Sequence, residues 1–317
     1  MYHRVDDVLY DPWQLAVSPV HFEEQLRVLK QNYNPVSLTE LGHYLATRSI
    51  PDRSVVLTFD DGYIDNFNLA KPLLEKYEIP ATFFIATQNC EKQQLFWWDE
   101  LQDILFETDE LPLQLTLPIG SDTLHFELAD EAILTDQIRE NQRAWIAFES
   151  EPTVRCNIYL ELWSRIRPLP DPEQQQILAT LRNWANNTKD PMTQLVCMRP
   201  EHISQLISNP LFSVGAHTVT HPALADHPAA VQANEISTSK LYLEKLTGNH
   251  ISLFAYPYGH FSNETVAIAE DQKFAAAVTT QEGLITKYSQ PLRLSRYQVN
   301  NWGGNEFNTR LAEWFGN

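Results

Sequence analysis

The stretch from residue 55 to 63 most constrains the fold of this chain, because an apolar run ends there in two adjacent carboxylates and a glycine. The β-branched and aromatic residues up to Phe59 predict a buried strand. Asp60, Asp61 and Gly62 mark the turn at which this strand leaves the core. Two neighbouring carboxylates at such a position repel each other and resist desolvation. A bound cation, or a different role for each group, would relieve the repulsion; a plain Asp-Asp-Gly turn is the alternative.

Composition narrows the class of protein. The chain has 317 residues, of which 43% are hydrophobic and 20% charged, which predicts one large globular domain or two ordinary ones. A net charge of −18 argues against nucleic acid or an anionic membrane surface as a general partner. Three scattered cysteines predict no disulfide framework. We recognise neither a leader nor an apolar run of membrane-spanning length, and therefore expect a cytoplasmic protein; the sequence leaves the oligomeric state open.

The order of predicted elements indicates a parallel sheet. A strand ending at Phe59, a helix over 64–77 and a strand over 81–86 form a βαβ unit, which implies parallel strands. Further strands are predicted at 1–5, 211–216, 253–259, 274–279 and 292–299. The seven or eight units that result favour a barrel over an open sheet.

In the middle of the chain, the regular alternation of predicted strands and helices is interrupted. Amphipathic stretches predict several helices there, and alternating residues over 111–128 predict a small hairpin. We therefore predict a mostly helical insertion at 90–205, between an N-terminal part of the barrel at 1–89 and a C-terminal part at 206–317.

Two histidines four residues apart follow another apolar strand. His217 and His221 come directly after residues 211–216, just as Asp60 and Asp61 follow their own strand. The carboxyl ends of parallel strands share one rim, and in parallel barrels that rim carries the chemistry. One carboxylate and two neutral imidazoles make a three-ligand metal site with open positions for water and substrate. A lone His-x-x-x-His is a weak signal, but the combination is much more specific.

Three short motifs resemble those of a known family. Thr-Phe-Asp-Asp-Gly at 58–62, His-Thr-Val-Thr-His-Pro at 217–222 and Tyr-Pro-Tyr-Gly at 256–259 are similar, in the same order, to the leading motifs of the polysaccharide deacetylases, the NodB-homology group. The resemblance covers the barrel portions and leaves out the insertion. It implies an α/β fold, a distorted (β/α)7-type barrel with a mostly helical central insertion, and metal-dependent removal of N-acetyl groups from an amino sugar of a polysaccharide or its precursor.

The resemblance also implies roles for single residues. Asp61, His217 and His221 match the metal ligands, with Zn²⁺ as the default cation and Co²⁺, Ni²⁺ or Mn²⁺ as alternatives. Asp60 matches the general base, which takes a proton from the attacking water. Tyr258 matches the residue whose main-chain amide helps to hold the oxyanion. The partner implied is an N-acetylated saccharide.

The chain departs from the family pattern at two places. Many members carry, in the third motif, an arginine that steadies the base; Ala255 stands there, and we predict that Arg296 supplies the charge instead, with a strand-end salt bridge as its alternative role. The late Leu-x-His motif that provides the general acid is absent. Tyr2-His3 resembles an early Tyr-His of relatives with a shifted motif order, so our hypothesis is that His3 is the acid. His260 is predicted near the rim, in contact with substrate.

Two other functions stay open. A metal-dependent amidohydrolase acting on a small non-sugar amide would use the same ligands and base; an open groove with aromatic contacts favours a sugar, and a closed pocket with a basic clamp favours a small acid. The second is a non-catalytic carbohydrate-binding barrel. Retention of both Asp60 and Asp61 argues against it, because a site that only binds has no need for the spare carboxylate.

Overall fold

The structure, a computed structural model, describes residues 1–186 and 196–316. The chain divides into two compact units. The first comprises Met1–Asp7, Leu15–Gln94 and Val196–Asn317, and the second comprises Val8–Gln14 and Leu95–Leu195. The domain bounds 1–89, 90–205 and 206–317 stay a prediction.

Strands and helices are numbered in chain order. The strands are β1 (Arg4–Val5), β2 (Ala16–Val17), β3 (Asn34–Pro35), β4 (Ser54–Val55), β5 (Leu57–Phe59), β6 (Ala81–Ile85), β7 (Gln114–Ile119), β8 (Asp122–Glu127), β9 (Phe212–Ala216), β10 (Leu253–Ala255) and β11 (Ala276–Val278). The helices are α1 (Pro19–Asn32), α2 (Leu38–Thr47), α3 (Lys71–Tyr77), α4 (Thr87–Lys92), α5 (Trp97–Glu107), α6 (Asp136–Ala144), α7 (Val154–Ile166), α8 (Asp171–Trp184), α9 (Pro200–Leu206), α10 (Ala229–Thr247), α11 (Asn263–Asp271) and α12 (Gly304–Trp314). Short 3-10 turns lie at Ala129–Ala132, Leu224–Asp226 and Pro257–Gly259.

The central sheet of the first unit is parallel, in the order β11-β10-β9-β6-β5. β5 pairs with β6 through Phe59 and Phe83, and β6 pairs with β9 through Ile85 and Ala216. Side chains on both faces of these strands are mostly buried, as expected for a parallel sheet covered on both sides. The carboxyl ends of β5 and β9 therefore reach the same edge, and the predicted parallel arrangement is confirmed.

Two further segments flank this sheet. Next to β5, the Tyr2 N–H donates to the Thr58 carbonyl at 2.8 Å, and the Asp60 N–H donates to the Tyr2 carbonyl at 3.0 Å. Next to β11, the Leu294 N–H donates to the Ala277 carbonyl at 2.9 Å. The sheet thus continues beyond its regular strands on both sides.

The segment after Leu294 joins these two sides, because the Val299 N–H donates to the Met1 carbonyl at 3.0 Å. The resulting curl of the sheet confirms the predicted fold class, a distorted (β/α)7-type barrel. The strand predicted over 292–299 is wrong as a regular strand. Its Arg296 N–H donates to the Gln281 carbonyl at 3.0 Å, so the segment joins the sheet only at single residues.

Aromatic rings pack in the first unit beside β5 and β6. Phe59 stacks on Phe83 with ring centroids 4.8 Å apart and on Tyr2 at 5.2 Å, and Phe22 meets its edge at 5.9 Å. All four side chains are buried. Burial of such large rings is a main source of core stability, and it fixes β5 and the chain start against each other.

The helix predicted over 64–77 begins with a π-helical turn, Asn66–Ala70, before α3. Pro72 stands in the first turn of α3, directly after this π-helical turn. π-helical turns are rare overall, but those that occur are often found at functional sites. Here the turn follows Asp65 and begins at Asn66, both of which are buried.

The second unit contains α5 to α8 and the antiparallel hairpin β7–β8, which confirms the predicted hairpin. Arg155 is fully buried in it and donates to four carbonyl oxygens, those of Leu105, Thr108, Glu131 and Ala132. The bonds to Leu105 and Thr108 satisfy carbonyls at the end of α5, which otherwise lack helix partners. Within residues 1–186 and 196–316, no helix has both the length and the apolar character needed to cross a membrane.

Candidate active site

Asp61, His217 and His221 lie together at the carboxyl edge of the sheet. The Nε2 atom of His217 is 3.4 Å from Asp61 Oδ1, and that of His221 is 3.3 Å from the same oxygen. One ligand atom from each of the three residues lies within 4.8 Å of the others, and all three residues are buried. The structure thus brings together the three residues predicted as metal ligands.

Unusual backbone conformations make this approach possible. Asp61, Thr218 and His221 have φ angles of 72°, 65° and 59°, in the left-handed region that non-glycine residues rarely adopt. Each such residue costs about 1–3 kcal/mol and persists only where its surroundings enforce it, most often at functional sites. The Thr218 hydroxyl accepts the His221 N–H at 3.1 Å and so closes the loop that turns both imidazoles to one side.

The start of α4 holds the same loop. The Thr87 N–H donates to the Thr218 carbonyl at 3.2 Å, and the Gln88 N–H donates to the Val219 carbonyl at 2.9 Å. Because α4 follows β6 directly, these bonds tie the histidine loop to the neighbouring strand of the sheet.

The donor set fits a divalent cation. His217 Nδ1 lies 2.8 Å from the Ala255 carbonyl, which can only accept, so Nδ1 carries the proton and Nε2 keeps its lone pair on the side of Asp61. This second contact is typical of metal-binding histidines. Burial acts to raise the pKa of Asp61, but the adjacent imidazoles of His217 and His221 outweigh it and hold the pKa far below its usual range. An ionised carboxylate and imidazole nitrogens are suitable ligands for zinc and related ions.

Asp60 forms a buried two-bond ion pair with Arg296. Arg296 Nη1 donates to Asp60 Oδ1 at 2.8 Å, and Nη2 donates to Oδ2 at 2.7 Å. Two further donors of Arg296 bond the Thr58 hydroxyl at 3.0 Å and the Thr279 carbonyl at 2.8 Å. Burial acts to raise the pKa of Asp60, but the charge and hydrogen bonds of Arg296 lower it overall. Asp60 is therefore ionised near neutral pH, and Arg296 lies where the sequence predicted an orienting charge.

His3 lies beside these charges. Its side chain is partly exposed, but its Nδ1 atom is buried and has no hydrogen-bond partner among the described residues. Burial lowers the pKa of His3, and the charges that act on it next belong to Asp61, Asp60, Arg296 and His217. The charges of both carboxylates thus act on this imidazole.

Asp65 and Asn66 fix the segment that carries His3, and sequence reasoning missed both. Asp65 accepts hydrogen bonds from Arg4 Nε and from the Val5 N–H, each at 2.9 Å. Asn66 Nδ2 donates to the His3 carbonyl at 2.9 Å. In the sequence these residues look like the polar face of a helix. The signal that was available is the motif itself, since they follow Asp61 within five residues.

The turn at Pro257–Gly259 places Tyr258 next to the histidines. Tyr258 has a φ of 56°, and its ring meets that of His221 edge-on at 4.5 Å. Gly259 has a φ of 63°, and a Cβ atom there would collide with the side chain of Thr280 and lie 2.9 Å from its backbone nitrogen. The turn therefore needs glycine, and it places Tyr258, through its ring, against His221 of the candidate metal centre.

His260 lies next to Asp226. Its Nε2 atom lies 3.8 Å from Asp226 Oδ1, and about a third of its side chain (34%) is exposed. The predicted contact between His260 and substrate stays a prediction.

The chain matches the sequence model of a known protein family. The sequence model for the family described as "Polysaccharide deacetylase" matches residues 47–110 and 173–277, which together are more than half of the chain. Both carboxylates after β5 and both histidines after β9 lie within these ranges.

Two similar proteins have the same name, poly-β-1,6-N-acetyl-D-glucosamine N-deacetylase. The one from Escherichia coli K12 is 32% identical over 107 residues, which are 32% of this chain and 16% of that protein. The one from Staphylococcus aureus MSSA476 is 40% identical over 79 residues, which are 25% of this chain and 27% of that protein. The chain thus matches less than a third of the length of these curated relatives.

Solved structures share the fold over almost the whole chain. The Streptococcus pyogenes deacetylase PplD in complex with acetate is 22% identical, with a TM-score of 0.56, and the match covers 99% of this chain and 96% of that one. IcaB from Ammonifex degensii is 19% identical, with a TM-score of 0.59 and coverage of 100% and 95%. At these identities the likeness shows the fold.

Proposed function

The chain belongs to the polysaccharide deacetylase family, and from this membership we propose that it is a metal-dependent hydrolase that removes N-acetyl groups from an amino sugar of a polysaccharide or its precursor. The observation that carries this proposal is the arrangement of Asp61, His217 and His221 beside a second, ionised carboxylate, Asp60. A site that only binds sugar or metal has no use for Asp60. The names of the relatives support N-acetylglucosamine as the sugar.

The proposed metal is zinc. Asp61, His217 and His221 would hold it, since zinc commonly binds one carboxylate and two imidazoles in catalytic sites. When bound, such an ion polarises an amide carbonyl and lowers the pKa of its bound water to about 7 in the best cases.

The chain's own residues then move protons. Asp60 takes a proton from the attacking water, and Arg296 keeps its carboxylate ionised and fixed in orientation. The main-chain amide of Tyr258 donates to the developing oxyanion. The leaving amine needs a proton, and His3 is the proposed donor, because it directly follows Tyr2, whose carbonyl accepts the Asp60 N–H, and because the charges of both carboxylates act on its imidazole. A cytoplasmic location remains a prediction.

Acetate release tests the proposed function. We expect acetate from oligomers of β-1,6-linked N-acetylglucosamine when the protein is loaded with zinc, and none after removal of the metal by a chelator. Reloading with zinc should restore the activity, and the chelator-treated protein kept without metal is the matched control. Zinc binding without acetate from any N-acetylated sugar would contradict the proposal and favour a small amide substrate or a binding role.

His3→Gln tests the general acid. We expect this variant to bind zinc normally and to lose about 10²-fold in deacetylation rate, because the amine can no longer be protonated as it leaves. An aryl acetate releases a phenolate that needs no such proton, so its hydrolysis should be nearly unaffected. His43→Gln, at an exposed position of α2, is the control. Equal losses on both substrates would show that His3 does not act as the acid.

A further inference from the structure

Glu235 is a buried carboxylate that faces the loop between the two histidines. It belongs to α10, and only 8% of it is exposed. Its Oε2 atom accepts the Val219 N–H at 2.8 Å and the Thr220 N–H at 2.9 Å. Its Oε1 atom accepts the Thr220 hydroxyl at 2.9 Å. All three donors lie between His217 and His221 in the sequence.

The loop needs such outside support because of its own conformation. Thr218 and His221 have φ angles of 65° and 59°, and a left-handed conformation is a clear outlier for a β-branched residue such as threonine. The amides of α4 bind the loop's carbonyls, at Thr218 and Val219, and Glu235 binds the amides that follow. Hydrogen bonds to an ionised acceptor are about twice as strong as neutral ones.

We propose that Glu235 is a positioning residue of the candidate metal centre: it holds residues 217–221 in the conformation in which both imidazoles reach the same cation. The inference rests on the proposed function only in assuming a cation at Asp61, His217 and His221. Glu235 itself bonds the loop backbone and the Thr220 hydroxyl, so it acts through the loop. Without it, part of the binding free energy of the metal would be needed to order the loop.

Glu235→Ala and Glu235→Gln differ in what they remove. Alanine removes all three hydrogen bonds. Glutamine keeps an oxygen for the two amides and offers its amide group to the Thr220 hydroxyl, which can also accept, so it removes mainly the charge. The expected order of zinc affinity is therefore wild type, then Glu235→Gln, then Glu235→Ala.

The test measures the zinc dissociation constant of the full chain by competition with a chromophoric chelator. We expect Glu235→Ala to raise it about 10- to 100-fold, the usual effect of losing a group that orients a metal ligand, and Glu235→Gln about three- to tenfold. Glu244→Ala is the control, because Glu244 lies on the same helix and accepts the Ile251 N–H at 3.2 Å and a bond from His250. It should leave zinc binding unchanged. The visible absorption of the Co²⁺-loaded protein should change in Glu235→Ala and not in Glu244→Ala.

Each outcome bears on a separate claim. A wild-type zinc dissociation constant in folded Glu235→Ala would overturn the role of Glu235 and leave the proposed function untouched. If that variant does not fold, an unchanged constant in Glu235→Gln would overturn it equally. Zinc binding with the expected order but no acetate release would overturn the proposed function and support the role of Glu235. A wild-type protein that binds no zinc would overturn both.

Discussion

Asp60→Asn is expected to lower the rate of N-acetyl removal about 10³- to 10⁴-fold, at the upper end of the range for loss of a general base. The asparagine has the shape of the aspartate but cannot take a proton from water. The three predicted metal ligands, Asp61, His217 and His221, are left in place, so zinc should remain bound. The measurement is the rate of acetate release together with the zinc content of the purified variant.

Asp60→Asn also breaks the ion pair with Arg296, so the experiment needs a control that separates loss of stability from loss of the base. Asp60→Asn leaves a buried guanidinium without its carboxylate, and loss of one partner of a buried pair costs about 3–5 kcal/mol of stability. The double variant Asp60→Asn with Arg296→Met removes both charges, and it should be more stable than Asp60→Asn alone. Its activity should stay as low as that of Asp60→Asn, because the base is still missing.

This pair of variants separates chemistry from folding. If the double variant regained activity together with stability, the low rate of Asp60→Asn would be caused by the buried Arg296 that has lost its carboxylate partner. Asp60 would then not be the base. A rate of Asp60→Asn within tenfold of the wild type, with zinc bound, would contradict the assignment directly. The free energy of unfolding, from denaturant titration of all three proteins, shows which case applies.

The predicted metal ligands could be found from the sequence alone, because they follow predicted strands. Asp61, His217 and His221 were predictable because each comes at or just after the end of an apolar strand, and parallel strands bring such positions to one edge. The role of Arg296 was predictable only because the third motif lacks a charge: Ala255 stands where the family pattern has arginine, so another residue had to supply it. Arg296 lies 236 residues from Asp60, and no local pattern shows that the two meet.

The residues that support the site could not be predicted in the same way. Asp65, Asn66 and Glu235 stand in helical segments, where acidic and amide side chains usually form the solvated face. Asp65 and Asn66 are buried where a π-turn begins, and Glu235 is buried because the histidine loop lies over α10. These contacts depend on how loops pack on helices, and hydrophobic periodicity carries no information about that packing.

Arg296→Met is expected to lower the rate near neutral pH about 10²- to 10³-fold, through the protonation state of Asp60. Burial acts to raise the pKa of Asp60, and the charge and bonds of Arg296 lower it below its ordinary value. Without Arg296, the strongest influence that opposes burial is gone, so the pKa of Asp60 rises. A general base works only when deprotonated, so its activity is present above its pKa and lost below it. The wild type should therefore keep the base ionised through weakly acidic pH, whereas in Arg296→Met the acid limb of the rate profile moves to higher pH.

The shape of the pH profile decides whether Arg296 acts through charge. In Arg296→Met the rate should recover as the pH rises, measured as kcat/KM between about pH 5 and pH 9, because the carboxylate regains its ionised form. Arg296→Lys keeps a charge but loses the two-bond geometry, so its profile should move less. Arg293→Met is the matched control, three residues earlier in the same segment, where the guanidinium bonds Asn263 at 2.6 Å, and its profile should match the wild type. A loss in Arg296→Met that is equal at every pH would mean that Arg296 holds the geometry of Asp60 without setting its charge.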